Sequence, residues 1–273
     1  MKKWIKGLTI AGIVLLCVGT GITAVAGIAG GTAAIKNFKI GNYNIDNFEI
    51  VPKEDMVLAA TYTGVKNLDI TASYSSIKVV ENPELKDEIR IYEKEKTYCG
   101  VFHEEDESSD VSINYYSNRK SLQKYGENYA EGIVEIPVGY KFDSVTLEAE
   151  AGVIEIPFVL TNHLKLDAEA GVIRVSDFET DYLSLSASAG SIEATGDAKT
   201  AIDAEVEAGS VDLSLAGSKE DYDINIESAL GDISIGEDHY SGISIERNIG
   251  SGAPKKIKLE CGLGSMDINF YGV

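Results

Sequence analysis

A twelve-residue pattern that recurs six times between residues 145 and 268 constrains the fold of this chain more than any other feature. Each copy alternates apolar and polar residues and carries a glycine at its eighth position, as in VTLEAEAGVIEI (145–156) and LKLDAEAGVIRV (164–175). Successive glycines are 19, 19, 19, 22 and 33 residues apart. The repeat glycines are Gly152, Gly171, Gly190, Gly209, Gly231 and Gly264.

This alternation has the period of a β-strand, so each copy is predicted to form two short strands joined at its glycine, which permits a positive φ and a sharp corner. One copy cannot bury its apolar face alone, and a constant offset places like residues above like when strands stack in parallel about 4.8 Å apart. The sequence therefore predicts an all-β protein, a parallel β-solenoid (β-helix-like). A β-sandwich of hairpins is the alternative, but hairpins do not require a constant offset.

The predicted inward positions form columns along the solenoid axis. Cys261 falls in one of these columns and is expected to be a core thiol; because Cys17 lies in the apolar leader, Cys99–Cys261 is the one disulfide open to the rest of the chain. The residues directly before the glycines are also predicted to face inward, at the narrow corner: Ala151, Ala170, Ala189, Ala208, Leu230 and Leu263.

Outward positions of the repeat are rich in carboxylates, and the chain has a formal net charge of -20. Such a surface repels nucleic acid and favours cations, cationic peptides or basic proteins, or it serves solubility alone. Stacking is predicted to place Glu148 above Asp167, and Glu205 near Glu227 and, more distantly, Glu260. Glu150, Glu169 and Glu207 are predicted to form a second row.

Like charges on adjacent strands destabilise a sheet, and a bound cation would offset that repulsion. These eight carboxylates are therefore candidate sites for weak Ca²⁺ binding, with a solvated acidic face as the alternative. No other metal or cofactor is predicted.

Residues 36–142 are strand-rich but less regular, and residues 143–273 hold the regular coils. Ser75 stands where the glycine would be in 68–80, which is predicted to be a degenerate coil that helps to cap the solenoid. Four further segments are assigned: strands at 88–96 and 111–116, an exposed acidic loop at 103–110, and a surface excursion at 117–132.

A 29-residue stretch without a charged side chain, Gly7–Ile35, is long enough to cross a bilayer as a helix. Lysines precede it, which predicts residues 1–6 in the cytoplasm and the C-terminal part outside the cytoplasm of a single-pass membrane protein. Residues 7–35 are thus predicted to be a transmembrane signal anchor. The alternative is a cleaved signal peptide with its apolar region at 10–18 and its cleavage signal at 24–26.

The segment GIVEIPVGYKFDSVTLEAEAGVIEI (132–156) carries an E-I-P-x-G strand end (Glu135 to Gly139) and a D-S-V-x-L motif before the first glycine-closed strand. In these features, residues 66–272 resemble the bacterial putative-adhesin β-strand-repeat family, domain of unknown function 4097. The resemblance implies an extracytoplasmic β-helix-like fold, often behind an N-terminal membrane span and often in envelope-stress gene neighbourhoods. It brings no catalytic residues with it.

No nucleophile elbow, phosphate-binding loop, zinc-protease motif or EF-hand loop occurs in the sequence. The predicted function is therefore non-enzymatic: cell-envelope interaction or adhesion, or envelope-stress signalling, with an envelope component or a protein as partner. Two alternatives stay open, an enzyme acting on cell-wall polysaccharide and a regulatory sensor coupled to a membrane partner. An exposed aromatic groove along one face would favour polysaccharide as the ligand.

Overall fold

The computed structural model describes residues 39–40, 43–44, 53–73, 75–94, 100–106, 110–116, 130–250 and 252–272. The predicted signal anchor at 7–35, its cleaved alternative and most of the predicted excursion at 117–132 lie outside these residues. Within the described part of the chain, no helix is both long enough and apolar enough to cross a membrane.

The chain separates into two compact units, Met1–Asp46 and Asn47–Val273. In the first, the two-residue strands β1 (Lys39–Ile40) and β2 (Tyr43–Asn44) pair antiparallel. In the second, short 3-10 turns occur at Lys53–Asp55 and Lys219–Asp221. Its strands are β3 (Met56–Thr63), β4 (Asn67–Ser73), β5 (Ser75–Asn82), β6 (Glu88–Lys94), β7 (Gly100–Asp106), β8 (Asp110–Tyr116), β9 (Ala130–Pro137), β10 (Lys141–Ala149), β11 (Val153–Ile156), β12 (Val159–Ala168), β13 (Val172–Val175), β14 (Phe178–Ala187), β15 (Ser191–Val206), β16 (Ser210–Ala216), β17 (Tyr222–Ser228), β18 (Asp232–Ile235), β19 (Asp238–Tyr240), β20 (Ile245–Ile249), β21 (Lys255–Cys261) and β22 (Ser265–Tyr271).

The strands of the second unit form two sheets around one apolar core. We call the sheet ordered β7-β8-β4-β10-β12-β14-β15-β21-β17-β20 the front sheet. The back sheet is ordered β3-β6-β9-β5-β11-β13-β15-β16-β22-β18-β19. β15 serves both sheets, with its first residues in the back sheet and its last ten in the front sheet.

Neighbouring coils are parallel and in register. Val145 of β10 is opposite Leu164 of β12, and Leu164 is opposite Leu183 of β14, a step of 19 residues each time. All three side chains are buried, and burying a side chain of this size stabilises a fold by roughly 1.5–3 kcal/mol. The prediction of an all-β, solenoid-like fold with parallel stacking is confirmed, and the sandwich of hairpins is wrong.

The coils at both ends are stacked in a different order from the sequence. The last coil, β21 and β22, lies between the coil of β15 and β16 and the coil of β17 and β18. At the other end, the coil of β4 and β5 lies between β8 and β9 on one side and β10 and β11 on the other. Ser75 lies beside Gly152 there, as predicted for a degenerate coil, but this coil lies inside the stack and does not cap it.

Antiparallel strands cover both ends of the parallel stack. β7 pairs with β8 and β6 with β9 at one end, while β20 pairs with β17 and β19 with β18 at the other. Residues 103–106, predicted to be part of an exposed loop, belong to the capping strand β7. Because edge strands expose unpaired backbone groups, a capping strand has a physical role that a free loop at this position would not have.

The repeat glycines lie in one row. The carbonyl oxygens of five of them accept a hydrogen bond from the next coil, as in Ser191 N to Gly171 O at 2.9 Å; these five are Gly152, Gly171, Gly190, Gly209 and Gly264. Their φ values are not in the left-handed region, so the predicted need for a positive φ is wrong. The positions require glycine because the neighbouring coil leaves no room for a Cβ atom. A Cβ on Gly190 would lie 2.6 Å from the carbonyl oxygen of Gly171 and 2.7 Å from that of Ala168.

The column directly before the glycines faces outward, contrary to the prediction. Ala170, Ala189 and Ala208 are exposed, and Leu230 and Leu263 expose more than half of their surface. The physical reason is the corner itself: the glycine occupies the inward position, so the residue before it points to solvent.

Cys261 is a free, buried thiol, as predicted from its column. Burial raises its pKa to about 11, so the thiol stays protonated at neutral pH. Cys99 lies outside the described residues.

Candidate functional site

The outer face of the front sheet carries a groove that crosses seven strands, from β10 to β20, and encloses about 870 Å³. Its walls are the outward side chains of successive coils, because alternate residues of a strand point to opposite faces of a sheet. Since the coils stack in register, these side chains form two parallel rows that run along the solenoid axis. We call this feature the front groove.

The first row of the front groove contains an exposed aromatic pair. His163 and Tyr182 are opposite each other on β12 and β14, with ring centroids 5.0 Å apart and planes at 7°. Tyr182 is 46% exposed. Its neighbour on the other side is Ala201, followed by Lys256 on β21. The imidazole of His163 therefore covers one face of the tyrosine ring, and the other face lies on the side of the Ala201 methyl group.

The second row supplies hydrogen-bonding groups. It runs through hydroxyl, amide and charged side chains, and Asn225 Nδ2 donates to Asn248 Oδ1 at 2.7 Å. In order along the axis, its members are Thr146, Lys165, Ser184, Asp203, Lys258, Asn225 and Asn248.

Each lysine of the front groove is paired with a carboxylate. Lys165 lies 3.5 Å from Asp167, and Lys258 forms an ion pair with Glu260. Lys256 lies 2.5 Å from Asp223 and also donates to the carbonyl oxygen of Ala253. The hydrogen bond from Lys256, with backbone N–H groups, lowers the pKa of Asp223 below its usual value. Apolar surface exceeds polar surface in the groove, and its three lysines are each paired with a carboxylate.

The predicted acidic rows border the front groove. Glu148 lies opposite Asp167 as expected, but Ser186 then separates this pair from Glu205. Glu260 is the direct neighbour of Glu205 and stands between it and Glu227, the reverse of the predicted order, because the last coil is inserted there. The predicted order is wrong because the coils do not stack in sequence order.

The second predicted row is also interrupted. Glu150 and Glu169 are on neighbouring coils, but Ser188 lies between Glu169 and Glu207. Ser73 donates a hydrogen bond of 2.5 Å to Glu150.

Among the described residues, no group of three or more His, Cys, Asp or Glu side chains is placed to hold a metal ion. Weak Ca²⁺ binding at these rows stays a prediction, and a melting temperature unchanged between EDTA and millimolar Ca²⁺ would contradict it.

Two carboxyls of the first acidic row have a raised pKa. Partial burial is the main cause for Glu148, followed by the charge of Asp167. Partial burial is likewise the main cause for Glu205, followed by the charges of Glu260 and Glu207. The ionised row therefore destabilises the fold slightly at neutral pH.

Replacing Glu205 by glutamine is expected to raise the free energy of unfolding at pH 7 by about 0.5 kcal/mol, since a like charge on the adjacent strand is removed and solvent screening keeps the effect small. A carboxyl whose folded-state pKa is raised destabilises the fold above that pKa, and the penalty disappears as the pH falls below the ordinary value of 4.5. Urea denaturation should therefore show the gain at pH 7 and none near pH 3.5.

Glu237→Gln, in the exposed turn before β19, is the matched control and should change stability at neither pH. A gain for Glu205→Gln that is the same at both pH values would contradict an electrostatic origin.

The front groove was not predicted, although its signal is present in the sequence. His163 and Tyr182 are 19 residues apart, the repeat offset, so their stacking follows from the register. On the back sheet, Arg174 similarly bridges Glu155 at 3.1 Å and Glu193 at 3.4 Å, which neutralises part of that face.

A two-sheet parallel solenoid with a groove along one face defines this protein as a repeat protein with an extended surface. The model of the Toastrack family, DUF4097, matches residues 53–260. The chain belongs to that family.

Several solved structures are similar to this chain at low sequence identity. One is named a putative cell adhesion protein, from Clostridium sporogenes, with 10% identity and a TM-score of 0.37, covering 82% of this chain and 97% of the other. A second, named a putative adhesin from Bacteroides fragilis, has 14% identity, a TM-score of 0.34 and coverage of 78% and 96%. A third, also named a putative adhesin, is from Parabacteroides distasonis; it has 11% identity, a TM-score of 0.38 and coverage of 78% and 98%. No curated protein matches the sequence.

Proposed function

We propose that this chain is a non-enzymatic, adhesin-like protein of the cell envelope that binds its partner in the front groove. Residues 7–35 hold it in the membrane, and the solenoid lies outside the cytoplasm. The uncharged leader behind lysines supports the anchor, and the family resemblance supports an extracytoplasmic location.

The single observation that carries the binding role is the front groove itself. Ligand sites in proteins are concave and have few, well-placed polar groups around apolar or aromatic surface. The front groove combines an exposed aromatic pair with a row of hydroxyl and amide groups, and both rows are fixed by strands of the solenoid rather than by loops. A rigid face loses little conformational entropy when a ligand binds.

An enzyme that acts on cell-wall polysaccharide is the second candidate, and the exposed Tyr182 is the observation that favours it. Glycoside hydrolysis requires one carboxyl with a raised pKa to act as an acid next to the scissile bond. The pKa of Asp223 in the groove is lowered, which is unsuited to that role. Asp223 therefore does not support hydrolysis, and Glu148 and Glu205, the two carboxyls of the acidic rows with a raised pKa, do not line the groove.

The binding role is tested with a variant that obstructs the groove and a matched one that does not. Ser184 is exposed in the middle of the front groove, and Asn269 is exposed on β22 of the back sheet. We expect the full chain with Ser184→Arg to lose at least about 10-fold in affinity for isolated cell-envelope fragments, because the added side chain fills the groove. Asn269→Arg, with the same change in charge, should bind like the unaltered protein.

Co-sedimentation with the fragments measures the affinity. Equal binding by both variants would contradict the assignment of the groove as the binding face.

External protease on intact cells tests the location: digestion of the solenoid supports it, and protection until the membrane is broken would contradict it.

A further inference from the structure

We propose that the front groove binds an uncharged polysaccharide chain, with one sugar ring stacked on the free face of Tyr182. The inference rests on the proposed binding function and names its ligand. It follows from three properties of the groove: one open aromatic face, lysines that are already paired, and repetition along one direction.

The open aromatic face is the first. Tyr182 stacks on His163, and on its other side the next two residues along the row are Ala201 and Lys256. The strand of Lys256 is two strands away, about 9.6 Å at the spacing of a β-sheet. Since stacked rings lie about 5 Å apart, one ring fits between the tyrosine and the lysine stem, above the methyl group of Ala201. The apolar face of a sugar ring has the size and flatness for this gap.

The charges are the second property. Lys165, Lys256 and Lys258 are each held by a carboxylate of this chain. A polyanion would find no unpaired cation among these three lysines and would meet the acidic rows beside the groove, while a cationic ligand would have to approach the lysines. An uncharged ligand avoids both penalties, since burying a charge without a partner is unfavourable.

The second row supplies the partners that such a ligand needs. Ser184 is a hydroxyl donor and acceptor, Asp203 accepts hydrogen bonds, and the Asn225–Asn248 pair has amide groups left for a further bond each. Sugar hydroxyls both donate and accept, so this mixture suits a polyol. A peptide that adds as a strand is disfavoured here, because it pairs with the edge of a sheet and not with its face.

Repetition is the third property. The groove crosses seven strands, which is about 29 Å at the spacing of a β-sheet, and it is open along its length. Equivalent positions recur at every coil, so a linear polymer with a regular repeat can place similar groups against successive coils. A single small molecule would use only a fraction of this surface.

The test uses uncharged hexasaccharides of glucose, mannose, galactose and N-acetylglucosamine as probes, with the full chain and isothermal titration calorimetry. At least one of the four is expected to bind, and Tyr182→Ala should weaken that binding at least about 10-fold, since the stacking face is lost. Tyr182→Phe keeps the face and should bind within about twofold of the unaltered protein.

Ala201→Leu is the second test variant. It leaves the tyrosine in place but fills the gap beside it, and should weaken binding as strongly as Tyr182→Ala. Unchanged thermal unfolding of each variant shows that the fold is kept. Asn269→Arg, on the back sheet, is the control and should bind the hexasaccharide like the unaltered protein.

Three outcomes overturn the proposal: none of the hexasaccharides binds, binding survives both Tyr182→Ala and Ala201→Leu, or an anionic hexasaccharide or a cationic peptide binds in their place with the same sensitivity to Ala201→Leu. The proposed binding function and the proposed ligand class can be told apart. If envelope fragments still bind and Ser184→Arg still blocks them while no hexasaccharide binds, the groove is a binding face and the ligand class is wrong.

Discussion

Replacing Gly190 by alanine is expected to lower the free energy of unfolding by about 3 kcal/mol, the upper end of the usual range for overpacking. The added Cβ would lie 2.6 Å from the carbonyl oxygen of Gly171, which accepts the 2.9 Å hydrogen bond from Ser191 that joins the two coils. Neither coil can move without lengthening that bond. At an unconstrained position the same change stabilises a protein by roughly 0.4–1 kcal/mol through the unfolded state, so a loss identifies the clash as the dominant effect.

Gly272→Ala is the matched control, since a Cβ at Gly272 would meet nothing within 4 Å. Its free energy of unfolding should stay within about 0.5 kcal/mol of the unaltered protein. Urea denaturation followed by circular dichroism measures both. Equal stabilities of the two variants would show that the row of glycines is not the tight contact described above.

Removing residues 252–273 is expected to abolish the cooperative unfolding transition. These residues form the coil between β15 and β17, so their loss unpairs a strand on each side in addition to removing their own core side chains. The buried residues Ile257, Leu259, Met266 and Ile268 contribute roughly 6–12 kcal/mol together at 1.5–3 kcal/mol each. A whole domain has a net stability of only about 5–15 kcal/mol.

Removal of residues 272–273 alone is the control, because β22 ends at Tyr271. The shorter truncation should unfold like the full chain in a calorimeter, whereas the longer one should show no heat-absorption peak. A sharp transition retained by the longer truncation would contradict the inserted position of the last coil.

The sequence is sufficient to predict the coils, because every copy has a period of two and the first four copies are offset by 19 residues. It predicted Ser75 as the place of a missing glycine, and Gly152 lies beside it. Position along the stack was predicted less well. Nothing in the residues of β17 and β21 distinguishes which coil pairs with β15, since both have the same inward columns and the choice depends on the long connections between them.

The corner differs from the prediction for a local reason. Alternation of inward and outward residues, continued through the glycine, predicts that Ala170 and Leu263 lie in the core. The chain turns there, so the phase of the alternation changes and two consecutive residues after the glycine, such as Val172 and Ile173, are buried. Periodicity cannot show a change of phase that a bend of the backbone produces.

The antiparallel strands at the two ends have a consequence for how many proteins one ligand can join. They stop the parallel ladder, so a second copy cannot lengthen the solenoid in register, and the groove keeps its length of about 29 Å. A polysaccharide ligand of the kind proposed, if longer than this, would extend past β20 into solvent, where a second copy could bind it. Under the proposed function, copies held in one membrane that share one polymer would gain avidity from their neighbours, so weak binding by each copy would be enough for firm attachment of the cell surface.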